Sequence, residues 1–330
     1  MAAVLAILFS VLGMILSLGV LVAITLPFAG VLIRFRANYT PKTGALRLDG
    51  EDGMGSHASP DTSLSYFGMM ARVYRIEGWT GLYKGLMPSI ISGLVASVIV
   101  IPLTLVLALR VKVGPHGRVD FPDRTSADMW VLTGALSIIP ALLLVPFTIV
   151  TNRAITTPHK LAAFDARAAL RVLLSPSERA QPLRLYLAPG VALASVLEVL
   201  ITLALSLLCT AVAPRVPLGA ALGGGVPLFL LTVALLTPLQ VLAARLTLQR
   251  RGPAPDATDA LDATPTYAEE VVEFRTEAEP YTGLLDCGRK IVAEEGWGVL
   301  TRAWWLTALT VLLTLPALLS PGDTLPPSFF

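Results

Sequence analysis

Six apolar stretches divide this chain of 330 residues, at about 3–33, 86–109, 129–152, 187–213, 218–244 and 303–320. A hydrocarbon core of about 30 Å takes roughly 20 apolar residues in helical form, and the last stretch sits nearest that limit. Charged or proline-rich segments separate them, where a chain can leave lipid without stranding its backbone polar groups. The pattern predicts an all-α membrane protein with six transmembrane helices. Two polar segments carry a helical period of their own. Leu64, Phe67, Met70, Ala71 and Tyr74 share a face with Arg72 and Arg75 off it, and Leu284, Leu285, Gly288, Ile291 and Val292 form a similar stripe. Both predict short amphipathic helices at the membrane surface.

The stretches are not independent. A proline followed seven residues later by an arginine closes three of them, as Pro27…Arg34, Pro146…Arg153 and Pro238…Arg245. Two of the following polar segments then end alike, at Glu77-Gly78-Trp79 through Tyr83-Lys84-Gly85 and at Glu295-Gly296-Trp297 through Thr301-Arg302-Ala303. This periodicity predicts three tandem two-helix repeats, 1–113, 114–214 and 215–330, integrated in one membrane domain with pseudo-threefold symmetry.

Composition agrees. Hydrophobic residues make up 54% and charged residues 15%, against about 25% charged in soluble domains. The first stretch has no lysine or arginine ahead of it and is about twice a signal's apolar length, so it reads as a retained helix. Cys209 lies in a predicted span and Cys287 in a polar segment, which excludes a disulfide framework. His57, His116 and His159 are scattered without metal-ligand spacing and read as solvated loop histidines. No cofactor or metal is expected.

Of the 25 lysines and arginines, five (Arg110, Lys112, Arg118, Arg124 and Arg215) fall on one side of a six-span topology and the rest on the other. By the positive-inside rule the three long polar segments face the more negative compartment, with both termini opposite. One of them is itself acidic: between Asp256 and Glu279 the sole base is Arg275. Residues 255–279 therefore read as a solvated, flexible insertion.

The three Pro…Arg units and the Glu-Gly…aromatic-Lys-Gly segment resemble the mitochondrial carrier family over nearly the whole chain. The first repeat matches that family's second motif at Glu77, Gly78, Tyr83, Lys84 and Gly85. The third keeps Glu295, Gly296 and Arg302, with Thr301 and Ala303 departing. The second keeps little beyond Leu185-Tyr186 before Ala188. The resemblance implies proline-kinked odd helices, short surface helices and solute transport by alternating access. It also implies charged gates between repeats, and these are missing. The gate positions hold Ala29 and Leu32, Thr148 and Thr151, Gln240 and Ala243, and Gln240 can at most brace a neighbour by hydrogen bonding. The even-helix gate fares no better, since Pro102 to Ala108 is uncharged.

The family's substrate-contact points, counted seven residues beyond Gly85, Ala188 and Ala303, fall on Ser92, Ser195 and Thr310. None is a cation able to grip a desolvated anion. Arg34, Arg153 and Arg245 sit where helices leave lipid and read as snorkelling side chains. Glu198, on the face of Ser195, is the one acid placed deep in a span, which makes it a functional candidate without an obvious buried cation. Gly223-Gly224-Gly225 reads as a close-approach or kink site. Nothing suggests an enzyme or a nucleic-acid surface.

Two functions follow. One is transport of a small, not strongly anionic solute, with Ser92, Ser195, Thr310 and Glu198 lining the path and Pro27, Pro146 and Pro238 kinking the closing helices. The other is a non-transporting scaffold of the mitochondrial outer membrane, acting in fusion, membrane contact or lipid handling and meeting protein partners through segments 37–83 and 249–297. Either implies a multi-pass protein of a mitochondrial membrane, in contact with the lipid bilayer.

Overall fold

Each of the six apolar stretches contains helix in the computed structural model, which describes residues 2–42, 65–108, 112–113, 119–120, 127–159, 166–212, 218–250, 271–275 and 279–319. In chain order the helices are α1 (Ala2–Ala37), α2 (Tyr66–Leu82), α3 (Leu86–Ala108), α4 (Ala127–Leu143), α5 (Val145–Thr156), α6 (Ala166–Leu173), α7 (Pro176–Ala180), α8 (Val191–Val212), α9 (Leu218–Leu248), α10 (Leu284–Glu294) and α11 (Trp304–Leu319). Among the described residues the strand content is a two-residue antiparallel ladder, Lys112–Val113 against Val119–Asp120.

Three segments are long and apolar enough to cross a membrane, namely Gly19–Ala37, Val191–Leu208 and Gly224–Leu248. The count reaches five if two bent pairs each act as one span, Tyr66–Leu82 with Leu86–Ile99 at 53° and Val131–Leu143 with Val145–Thr156 at 47°. The last stretch falls short because α11 has 16 residues, about 24 Å at the helical rise. Leu16, Val98, Val131 and Leu313 are all more than two-thirds exposed, an outward apolar surface compatible with a bilayer and unsuited to water. This is the architecture of a multi-pass membrane protein.

The prolines act unequally. Pro146 opens α5 just after the break at Leu144, where the helix loses a backbone donor and bends. Pro27 and Pro238 sit inside α1 and α9, which continue through them as single helices. Gly224 and Gly225 do not bring helices together, since a Cβ on either would meet nothing within 4 Å.

α2 forms as predicted but buries a different face. Tyr66, Met69, Val73 and Glu77 are buried, while Phe67 and Tyr74 of the expected stripe are exposed at 64% and 50%. The helix is apolar on two adjacent stripes. One packs on Val31, Ala37 and Leu32 of α1, and the other presents Phe67, stacked on Trp305 at 6.0 Å between ring centroids. With exposed Trp79, Trp297 and Trp304, this gives the end of the bundle an aromatic border of the kind found at membrane interfaces. α10 likewise buries Leu284, Cys287 and Ile291 and leaves Leu285 out, so Cys287 is a buried helical residue rather than a loop one. Burial raises its thiol pKa to about 12.

Part of the acidic segment is not solvated. Val271 and Val272 are buried at 6% and 2% exposure against α1, Leu248 and Leu306. The Tyr39 amide donates to Glu273 O at 2.9 Å, the Glu273 amide to Asn38 Oδ1 at 3.0 Å. The Tyr281 amide donates to Gln249 Oε1 at 3.1 Å, and Gln249 returns a bond to Tyr281 O. Residues 271–275 are thus hydrogen-bonded to the end of α1 and packed on Leu248 at the end of α9, while Tyr281 holds Gln249; 255–270 and 276–278 lie outside the described residues.

Candidate functional site

The three arginines seven residues beyond a proline do not snorkel. Arg34, Arg153 and Arg245 are 1%, 4% and 6% exposed, and each meets a buried glutamate. Arg34 Nη2 donates to Glu77 Oε2 at 2.6 Å. Arg153 holds Glu178 through both oxygens, at 2.7 and 3.0 Å. Arg245 holds Glu295 the same way, one of its bonds 2.9 Å. Bidentate pairing of this kind fixes geometry as well as charge.

Each arginine also reaches the end of a different helix. Arg34 Nε donates to Ile155 O at 2.9 Å, Arg153 Nε to Thr247 O at 3.2 Å and Arg245 Nε to Arg36 O at 3.2 Å. Ile155 lies two residues beyond Arg153, Thr247 two beyond Arg245, and Arg36 two beyond Arg34. The bonds therefore close a ring: α1 caps α5, α5 caps α9, and α9 caps α1. Helix C-termini carry unsatisfied carbonyls and partial negative charge, so a guanidinium there is favourable twice over. Lys84 and Arg302 add to it at matching positions. Lys84 Nζ bonds Glu77 Oε1 at 2.5 Å and Thr157 O at 2.7 Å. Arg302 Nη1 donates to the carbonyls of Asn38 and Phe35, and its Nη2 to the Thr40 hydroxyl.

Glu178 escapes sequence reading because it pairs 25 positions after its arginine, against 43 and 50 in the other two pairs. A local signal was present: Ser175-Pro176-Ser177-Glu178 forms a capping box on α7. The turn glycines are placed by the same geometry. Gly78 and Gly296, which follow the paired glutamates, hold φ of 66° and 100°, and Tyr83 is the half-turned residue ending α2. The residues entering the next helix with positive φ are Gly85, Gly190 and Ala303, at 88°, 78° and 56°. The second of these is Gly190 rather than Ala188. Counting seven from it reaches Leu197, so Ser195 loses its place as the counterpart of Ser92 and Thr310.

The hydroxyls expected to face a solute are partly spent on their own helices. Ser195 Oγ donates to Val191 O at 3.2 Å and Thr310 Oγ1 to Thr307 O at 2.8 Å, the usual way such side chains sit in an apolar helix. Ser92 is half-buried on α3. At the vacant gate positions Thr148 also bonds its own helix, and Thr151 Oγ1 is buried without a partner.

Glu198 is half-buried on α8, and a cation lies within its electrostatic reach: Arg36. Arg36 is 7% exposed. Its Nη2 donates to Thr307 Oγ1 at 2.8 Å, and that hydroxyl donates on to Gln240 Oε1 at 2.9 Å. Gln240 thus braces a neighbour, as expected, but its neighbour in turn carries a buried charge. Arg36 Nε has no hydrogen-bond partner. In the sequence Arg36 counts only among the bases on the side of the three long polar segments.

Beyond the ring, a cavity of about 370 Å³ lies between the ends of α5 and α9 and residues Phe274, Arg275, Glu279, Pro280 and Tyr281, with Arg153, Arg245 and Arg250 also in its wall. Arg275 pairs with Glu294 at 2.7 Å and lies over the Tyr281 ring, and this hydrogen-bonded pairing holds the Glu294 carboxyl below the usual carboxylate range. Burial raises Tyr281 to about 12. No group of three or more His, Cys, Asp or Glu able to hold a metal occurs among the described residues. No family model matches the chain, and no curated protein matches it.

Proposed function

We propose that the chain is a divergent mitochondrial-carrier-like protein, built as six helices in three tandem repeats with pseudo-threefold symmetry, that moves a small, not strongly anionic solute across a mitochondrial membrane by alternating access. The observation that carries this reading is the ring of caps, in which three arginines each reach the carbonyl two residues beyond the next arginine. Three unrelated hairpins have no reason to share that offset.

The ring also supplies what the missing gate charges do not. Arg34–Glu77, Arg153–Glu178 and Arg245–Glu295 each lie within one proposed repeat, so they survive if the repeats swing apart. Opening breaks the bonds from each arginine to the next helix, at about 1.5–3 kcal/mol for a hydrogen bond to a charged group. A solute bound between the repeats has to offset that cost, because a ligand shifts an equilibrium only by its differential affinity for the two states. The test is uptake into vesicles holding the purified chain. Glu198→Gln is expected to change the uptake rate with folding intact, and unaltered uptake removes Glu198 from the path.

A specific observation favours the non-transporting scaffold as second reading. Residues 271–275 are hydrogen-bonded to the end of α1 and packed on Leu248 at the end of α9, and opening would have to tear them away. Protease protection on intact mitochondria separates the two, with tags at Met1 and in 255–270. Tags guarded until the outer membrane is ruptured support transport. A tag cut on the intact organelle supports the scaffold, whose membrane already passes small solutes.

A further inference from the structure

Among the described residues three buried apolar clusters hold the bundle together, and the proposed third repeat supplies part of each. Val271 and Val272 belong to a cluster otherwise built by α1 and α2, with Val31, Met69 and Val73 among its members. Leu246, Leu284 and Ile291 join Val145, Leu185 and Ala194 of the second repeat, and Val233, Leu236 and Val311 join Leu205. None of the three clusters links the first repeat to the second. The first and third are tied through the main chain as well. α1 ends at Ala37 and the chain continues without helix through Lys42, where Pro41 disfavours the helical region at Thr40. The Tyr39 amide donates to Glu273 O at 2.9 Å, the Lys42 amide to Glu294 O at 3.0 Å and the Thr40 amide to Glu295 Oε2 at 2.9 Å.

The boundary between the first and second repeats is different in kind. Ile155 is buried there but belongs to none of the clusters, and the first-repeat surface it meets is glycine. A Cβ on Gly30 would lie 3.7 Å from its Cγ2, and one on Gly85 2.7 Å from its Cγ1. What holds it is polar. Arg34 donates to Ile155 O twice, at 2.9 and 2.6 Å, and Lys84 to Thr157 O at 2.7 Å. Thr151, whose carbonyl faces the same Gly85 position at 3.6 Å, keeps its hydroxyl buried without a partner. Opening here exchanges bonds to carbonyls for bonds to water, whereas parting a shared apolar cluster forfeits packing and bares apolar area. Local opening goes first where buried apolar contact is least.

We propose that the bundle opens along a single seam, with Gly30, Arg34, Lys84 and Gly85 of the first repeat on one side and Ile155 and Thr157 of the second on the other. The third repeat is the hinge that keeps hold of both. Of the three links in the ring, only the one from Arg34 to the end of α5 then has to break. Residues 271–275 lie on the closed side and stay in place. The seam deepens the transport reading and rests on it for its use, but it is a claim about motion and is tested as one.

Single cysteines placed by Thr157→Cys, Ala37→Cys and Thr247→Cys report the three boundaries in the full chain in detergent. Their alkylation by N-ethylmaleimide is followed peptide by peptide by mass spectrometry, so the native cysteines remain. All three positions are buried. Thr157 and Ala37 line the same cavity, so access to that cavity favours neither. Thr247 accepts from Arg153 and Asn152 and reports the boundary between the second and third repeats. Thr157→Cys is expected to react at least about tenfold faster than either of the others, since local opening sets the rate at a buried site. Gly30→Ala sets a Cβ at ordinary contact distance from Ile155 and is expected to slow Thr157→Cys while leaving the other two rates unchanged. Should Thr157→Cys fold poorly, Ile155→Cys reports the same seam. Rates alike at all three positions, or a faster rate at Ala37→Cys or Thr247→Cys, overturn the seam. An equal effect of Gly30→Ala on all three overturns it as well. The labelling uses no solute, so its failure sinks the seam whatever the chain carries, whereas a tag cut on intact mitochondria sinks transport and leaves the seam standing.

Discussion

Arg34 and Arg36 are two residues apart on one helix, both buried, and they lead opposite lives. Arg34 gives its hydrogens to Glu77 and to Ile155 O, one of three such arrangements that close around the helix ends. Arg36 gives one to a hydroxyl and leaves its Nε idle. Burial alone therefore says nothing about what a membrane charge is for. A satisfied ion pair is neutral in the ledger of folding or nearly so, and becomes costly only when half of it is removed. An unsatisfied one is a standing cost that the rest of the fold has to carry.

The largest effect is expected where one carboxylate serves two cations. Glu77→Ala leaves Arg34 and Lys84 both without their acid and should cost about 3–5 kcal/mol or more of stability, by the penalty for an uncompensated buried charge. Glu178→Gln should fall in the lower part of that range, since the amide still accepts one bond from Arg153. Thermal or denaturant unfolding in one detergent checks both, and a loss under about 1 kcal/mol would place these pairs with ordinary surface bridges.

Next come the turns that aim the helices. A Cβ at Gly190 would meet the Leu284 amide nitrogen at 2.7 Å in a backbone already at φ 78°, so Gly190→Ala should destabilise by about 2 kcal/mol or more. Ala303 occupies the same left-handed region at φ 56° with its Cβ in place. Ala303→Gly should therefore be neutral to stabilising, by at most about 1 kcal/mol. Opposite signs from the two substitutions would confirm that the positions are equivalent turns.

Much of this was legible in the chain and some was not. The apolar stretches located the helices, and the proline-to-arginine spacing with Glu77 and Glu295 picked out the residues of two of the three pairs, though the arginines read as snorkelling and their pairing was not legible. Glu178 stayed hidden because its spacing from Arg153, 25 positions, follows no count shared with the other two pairs. Arg36 stayed hidden because its burial comes from contacts with Thr307, 271 positions away, which no local period encodes. Val271 and Val272 read as two apolar residues in an acidic stretch, too few for any pattern, yet they are covered by α1, α9 and α11. The buried face of α2 was misjudged by one position, since Tyr66 and Glu77 break the apolar period while the exposed stripe keeps it.

The smallest effects concern pH, and they sharpen the contrast between paired and unpaired groups outside the spans. Glu294 has its folded pKa depressed by Arg275, so its contribution is present above the ordinary carboxylate pKa and is lost as pH falls through the depressed value. Arg275→Gln should flatten that acid limb slightly. Cys287 has its folded pKa raised from 9.0 to about 12, so the buried thiol's contribution is whole below pH 9.0 and declines as pH rises towards about 12. It should resist alkylation at pH 8 in the folded chain and react on unfolding; rapid native labelling would contradict its burial.

The most direct test sets Arg36→Gln beside Arg153→Gln in ligand-free thermal unfolding under identical conditions. Arg153→Gln is expected to lower stability by about 3–5 kcal/mol, because Glu178 keeps a buried charge and loses its guanidinium. Arg36→Gln is expected to leave stability unchanged or raise it, because it removes a buried charge that the fold does not itself satisfy. If Arg36→Gln instead destabilises as much as Arg153→Gln, Arg36 is a structural member of the ring and the division between satisfied and unsatisfied buried charges does not hold.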